Sequence, residues 1–322
     1  MPLAHAFAAW RRAVVWAAGG VLALLLTSCA SPGHIAATYL PDLPERVELV
    51  DTPFFPDDSH FCGPAALATS LSAAGLPSSP ETLIDQVFLP GRQGSLQVEM
   101  LAAARRQGAV ATRIPGRTEA LWRELAAGHP VVVLQNLGLS WAPSWHYAVV
   151  VGYDAQADTV LLRSGPMKRQ ALSLRTFMYT WNRSERWAFV TTRPGQLPVT
   201  ATEADTVQAL VALERNVPAP AAVQAYRAGV VRWPANATLA MGLGNALYAA
   251  GDPQGAEAVF RQVIESQPLA AAYNNLARLL LERGNVQEAR AMVERGLPVS
   301  GPLRQTLLET LEAIETASQT PK

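Results

Sequence analysis

The sequence predicts an α+β domain followed by an all-α stack of repeats, with a short targeting segment ahead of both. Apolar runs of strand length cluster between residues 130 and 192, behind a set of helix-patterned segments. Beyond residue 206 a helical motif recurs with a period of about 34 residues. Hydrophobic residues make up 49% of the 322 positions and charged residues 16%, as in a globular chain and unlike a disordered one. Lys plus Arg is 26 and Asp plus Glu is 26, so the net charge is zero. With no basic block and no aromatic-basic stripe, nothing suggests nucleic-acid binding. The expected parts are a segment at 1–29, a linker at 30–45, the α+β domain at 46–194, a linker at 195–205, helical repeats at 206–316 and a tail at 317–322.

The segment 1–29 reads as a targeting signal rather than as fold. Arg11 and Arg12 form a positive start, and "AVVWAAGGVLALLL" (13–26) is apolar but too short for an ordinary membrane span. It ends in "LTSC" (26–29), which resembles the lipobox of bacterial lipoproteins. That resemblance implies that Cys29 becomes the acylated N-terminus of the mature chain and tethers it to a membrane surface. Ala30 and Ser31 after it, in place of Asp, imply an exported protein on the outer membrane, facing the periplasm. Cys62 would then be the one free thiol, and no disulfide could form within the chain.

In the α+β domain "VELV" opens an extended segment. Helices are expected at 63–74 (ended by Gly75 and Pro77), 79–88 (with a Ser-Pro-Glu start), 95–108 (stopped by Gly108) and 118–128. "PVVVLQNL" (130–137) is a nearly continuous apolar run, as in a buried strand. "HYAVVVGY" (146–153) and "TVLLRS" (159–164) flank a hairpin loop, "DAQAD", and "RWAFVTT" (186–192) is a last strand. "RPGQLPVTATEAD" (193–205) marks the boundary. In the helical part Gly251 aligns with Gly284, Ala256 with Ala289 and Phe260 with Val293, all at one constant spacing. Ala222, Tyr226 and Pro234 precede Ala256, Phe260 and Pro268 by nearly the same interval. This pattern resembles tetratricopeptide repeats. Small residues let paired helices approach, an aromatic fills the groove and Pro ends the pair. Such a stack offers a concave surface for a peptide or partner protein.

Chemistry centres on "HFCGPAALATSL" (60–71). Gly63 and Pro64 suit a sharp turn into a helix, which places Cys62 at a helix N-terminus. Free amides and the dipole there are expected to lower its pKa and favour the thiolate. An activated cysteine also needs a base. Of the five histidines, His5 and His34 fall in the signal and linker, His60 is too near Cys62 in sequence, and His129 lies at a turn. His146 begins an apolar strand, where a base is held rigidly. "LSWAPSWHY" (139–147) and the Trp181–Trp187 region concentrate aromatics that suit a substrate groove or a core equally well. "ARRQG" (104–108) reads as a solvated helix end. No metal-ligand cluster and no phosphate-binding GxxxxGK[ST] loop is visible, so no cofactor is expected.

"FCGPAALATSL", which holds Cys62, and "HYAVVVGYD", which begins at His146, resemble in sequence and spacing papain-like peptidases of the C39 type, which process bacteriocin leaders. The resemblance spans roughly 46–192 and implies Cys62 as nucleophile, His146 as general base and a Cys62 amide in the oxyanion hole. It also implies an exported lipoprotein with repeats. Two positions depart from the family pattern. Where a Gln usually donates to the oxyanion, this chain has Asp57 and Asp58. Where Asp or Asn usually orients the His, it has Ser164; Asp154 falls at the far end of the strand. The expected function is a lipid-anchored cysteine peptidase whose repeats bind substrate or a partner. The alternative is a weakened domain that binds peptide without cutting it. A third reading is an acyl transferase that passes the Cys62 thioester to an amine.

Overall fold

The computed structural model describes residue 40 and residues 42–57 and 60–319. The expectations for the targeting signal with Cys29, and for Asp58, fall outside the described residues. The α+β expectation holds for the first half, and an all-helical run follows it.

Seven antiparallel strands form the main sheet: β1 (Arg46–Glu48), β4 (Val110–Arg113), β5 (Val131–Asn136), β6 (Trp145–Asp154), β7 (Thr159–Ser164), β8 (Met167–Ser173) and β9 (Ala188–Thr192). The order is β4-β9-β5-β6-β7-β8, with β1 paired to the far end of β6, Val47 opposite Tyr153. A short pair, β2 (Phe88–Leu89) and β3 (Gly94–Ser95), stands apart. Helices α1 (Cys62–Ala73), α2 (Pro80–Val87) and α3 (Gln97–Arg106) pack on one face, where Leu67, Leu71, Leu83 and Met100 meet Val149 and Val151 in one core. Every residue of β5 is buried, as the apolar run Val131–Leu134 requires and with Gln135 and Asn136 buried after it. Helices α4 (Thr118–Ala126) and α5 (Leu174–Asn182) complete this half.

The expectations missed β4, β8, α5 and the β2–β3 pair. Strand β8, "MKRQALS", is polar and largely exposed because it is the sheet edge, so it carries no apolar run to read. Helix α5 is capped by Ser173, whose side chain accepts from the Thr176 amide at 3.2 Å. The "ARRQG" segment is not simply solvated: Arg105 is partly buried and donates to the Ala111 carbonyl at 3.2 Å.

The second half is a ladder of antiparallel helices: α6 (Glu203–Glu214), α7 (Ala219–Arg232), α8 (Ala237–Ala249), α9 (Pro253–Ser266), α10 (Ala270–Glu282), α11 (Val286–Gly296) and α12 (Arg304–Gln319). The periodic residues do what their sizes dictate. A methyl group on Gly242 would stand 2.3 Å from the Tyr226 ring, and one on Gly244 would stand 2.4 Å from the Phe260 ring. Each aromatic of one helix therefore lies against a glycine of the preceding or following one. Gly251 and Gly284, at equivalent places in successive repeats, both take positive φ (82° and 76°) at the α8–α9 and α10–α11 turns.

The two halves share a core and a clamped linker. Val110 of β4 belongs to the same buried cluster as Leu210 and Leu213 of α6. The Glu124 carboxylate, fully buried, accepts from the Val199 and Thr200 amides (3.2 and 2.7 Å) and the Thr200 hydroxyl (2.6 Å). From the other side Arg232 of α7 donates to the carbonyls of Pro198, Val199 and Ala201. Among the described residues no helix is long and apolar enough to cross a membrane.

Candidate active site

Helix α1 starts at Cys62 itself, slightly earlier than the sequence pattern suggests. Phe61 is the N-cap and offers no side-chain cap; it stacks edge-on with Phe88, ring centres 4.9 Å apart. Intrahelical bonding begins with the Ala65 amide donating to the Phe61 carbonyl. Pro64 has no N–H, so the Cys62 and Gly63 amides are left without intrahelical partners, and both bond toward the Cys62 sulfur. Gly63 is required by space, since a Cβ there would lie 2.2 Å from Ser95 Oγ. The rest of α1 is buried through Leu71, so the nucleophile is mounted on a helix fixed inside the domain.

His146 reaches the site from β6. The β6–β7 ladder ends at Val149 opposite Arg163, so His146 and Ser164 lie beyond the last paired residues. There their side chains meet: His146 Nε2 and Ser164 Oγ are 2.9 Å apart. The Asp57 amide donates to the Gly165 carbonyl at 3.1 Å, which fixes Asp57 next to that pair. Asp57, Cys62, Ser164 and Gly165 line one narrow crevice. Cys62 and His146 both line the adjoining cleft of about 870 Å³, with His60, Gln93, Trp145 and Glu185 among its walls. The fold thus brings together Asp57, Cys62, His146 and Ser164. Asp154 stays away, bonded to the Ala157 amide in the hairpin loop. His129 is remote too, with Nδ1 on Glu124 at 2.8 Å.

The electrostatics correct one expectation. The Cys62 thiol is pushed up, not down, from its ordinary value, because burial outweighs the amides that favour the thiolate. The backbone N–H of Tyr147 bonds toward the sulfur and pulls the other way, but the Asp57 carboxylate adds to the rise. Burial lowers the His146 pKa, and the charge of Asp57 opposes that fall. Both directions favour the neutral forms, thiol and imidazole. Tyr147 carries the same signature: burial, then the nearby Cys62, raise its phenol. Its hydroxyl donates to the Ser95 carbonyl at 3.2 Å, tying β6 to β3 across the cleft wall.

The aromatic stretches divide. Trp181 and Trp187 are core residues, with Trp181 Nε1 donating to the Trp187 carbonyl at 3.0 Å. Trp145 is 53% exposed and lines the cleft, while Trp141 is 81% exposed. Their loop is ordered by Asn136, whose Oδ1 accepts from the Gly138 and Ser144 amides at 3.0 and 2.9 Å. Sequence reasoning missed Asn136, Ser95 and the Tyr147 amide. The Asn-x-Gly signal for a side-chain turn was present; the Tyr147 contribution is a backbone group with no sequence signal. Among the described residues no group of three or more His, Cys, Asp or Glu could hold a metal ion.

Family models match stretches of both halves. Residues 47–188 match the model of the Peptidase_C39 like family, and residues 206–271 and 241–302 match the tetratricopeptide repeat model. Two solved structures resemble parts of the chain. A Bacillus anthracis protein described as a C39-like peptidase is 18% identical, with a TM-score of 0.39, covering 47% of this chain and 98% of that one. The type III secretion translocator chaperone SycD of Yersinia enterocolitica is 20% identical, with a TM-score of 0.33, covering 36% of this chain and 96% of that one. No curated protein matches the chain.

Proposed function

We propose, for a chain that joins a C39-like peptidase domain to tetratricopeptide repeats, that it is an exported, lipid-anchored thiol peptidase acting on polypeptide substrates. The observation that carries the reading is the 2.9 Å contact of Ser164 with His146, which lines the same cleft as Cys62. In the tautomer that gives Nε2–H to Ser164, Nδ1 keeps its lone pair and serves as the base. The imidazole takes the thiol proton as the sulfur attacks the scissile carbonyl. The Cys62 amide contributes to stabilising the developing oxyanion, and the imidazolium returns the proton to the leaving amine. Water then attacks the thioester, activated by the same imidazole, and releases the acid and the thiol. Lipidation at Cys29 and a periplasmic, outer-membrane location rest on the lipobox resemblance of "LTSC".

The second reading, a domain that binds peptide without cutting it, is favoured by the Asp57 carboxylate beside the nucleophile and by the raised thiol pKa. One experiment separates the two. The mature protein is labelled with iodoacetamide across pH and assayed against a mixed peptide library, with Cys62→Ala and His146→Ala as controls. Cleavage that vanishes in both variants supports the peptidase. Labelling indifferent to His146, with no cleavage by the wild type, refutes it.

A further inference from the structure

The cleft that holds Cys62 does not end at the sheet. Gln97, Ser184 and Glu185 form part of its wall, and the same three residues line a second recess of about 330 Å³ with Val98, Arg105 and Gln208. Gln208 belongs to α6, the first helix of the repeats, and also borders a shallow surface with Val207, Val211 and Arg215. Each depression thus shares side chains with the next. Repeat register continues the line. Gln208, Val211 and Arg215 stand one repeat ahead of Gly242, Asn245 and Ala249 of α8, and these stand one repeat ahead of Asn275, Arg278 and Glu282 of α10. Asn245, Asn275, Arg278 and Glu282 line a further hollow of about 170 Å³ on that same helix face.

Two properties mark this path as a binding surface. Large apolar side chains are left open along it: Trp145 (53% exposed) in the cleft, Val98 (65%) in the recess, Val211 (44%) and Tyr248 (46%) on the repeats. The path is also continuous, since Gln97, Ser184 and Glu185 border both the cleft of Cys62 and the recess, and Gln208 borders both the recess and the face of α6. The charges along the recess, Arg105, Arg113, Glu185 and Asp205, balance and so favour neither sign of substrate. The halves also hold a fixed relation, through Val110 in the repeat core and the Glu124 and Arg232 clamps.

We infer that one extended polypeptide occupies the whole path, its scissile segment over Cys62 and its flanking segment along α6 onto the inner face of the repeats. The repeats thus grip the substrate itself, through spaced apolar side chains, rather than a separate partner. This inference rests on the peptidase reading for the identity of the scissile segment alone.

The test uses peptides of alternating leucine and serine carrying a pyridyl disulfide at either end, which label Cys62 whether or not the protein cleaves anything. Peptides of about four and about fourteen residues are compared, since an extended chain covers about 3.3–3.6 Å per residue. In the full chain the long peptide should label Cys62 on the order of tenfold faster than the short one. Val211→Asp should bring its rate down to that of the short peptide. Val231→Asp, on α7 and away from the path though 78% exposed, should leave the gain intact. Equal rates for both lengths, or a gain that survives Val211→Asp, would overturn the inference. Length-dependent labelling without hydrolysis of any library peptide refutes the peptidase and keeps the shared groove; hydrolysis without length dependence does the reverse.

Discussion

In the α+β half, Glu124, Gln135, Arg163 and Ser164 are all buried, each bonded to groups far away in sequence. Arg163 alone reaches the carbonyls of Val50, Thr52 and Lys168. The repeats bury alanine, leucine and aromatic rings, with the occasional polar pair such as Thr310 and Asn274, 2.8 Å apart. A buried polar group is tolerated only with a partner in place, so the first half is specified by a few long-range bonds. The second is specified by volume, repeated from one helix pair to the next. A substitution at the site of the first half should therefore cost chemistry with the fold intact, whereas one at a packed ring of the repeats should cost stability.

The largest effect that would sharpen this contrast is at His146. His146→Ala should reduce kcat by about 10²–10⁴-fold on a cleaved library peptide while the thermal midpoint stays near that of the parent. An unchanged kcat would break the assignment of the base. In the repeats Phe260→Ala should lower stability by about 3–5 kcal/mol in urea titration, because the ring fills the space above Gly244. A loss below about 1 kcal/mol would show that volume does not specify the stack.

Asp57→Gln tests the carboxylate that stands where a donor is expected. Removing a negative charge lowers the pKa of both neighbours, since that charge favours the protonated form of each. The pH midpoint of Cys62 alkylation, expected above 9.0 in the parent, should fall, and turnover should rise by roughly 100-fold if the amide reaches the oxyanion. A drop in turnover would instead make Asp57 a supporting charge for the imidazolium. The smallest effect concerns Ser164. Ser164→Ala removes one neutral hydrogen bond and should cost about tenfold in kcat/KM. Ser164→Asp should move the acid limb of the pH profile, expected below 6.5 in the parent, upward, because a carboxylate favours the imidazolium.

The same contrast explains what could be read in the sequence. The spacing of Gly251, Ala256 and Phe260 repeats, so every copy restates the rule, and the observed packing follows it. Strands with apolar runs, such as 159–164, were equally legible, whereas the polar edge strand β8 was not. Cys62, His146 and Ser164 could be singled out by type and by flanking motif. Their protonation could not: the helix start at Cys62 argued for a lowered pKa, and only the packing around α1 reveals that desolvation wins.

The clamp on the linker has a practical consequence. A chain cut near residue 194 would strip Glu124 of its Val199 and Thr200 donors and open Val110 to water. Only the His129 imidazole would remain on that carboxylate, and a buried charge short of partners costs several kcal/mol, comparable with the whole stability of many domains. The boundary drawn by homology is thus not a boundary of cooperative unfolding. The isolated α+β fragment should melt early or aggregate, and the intact chain should unfold in one transition.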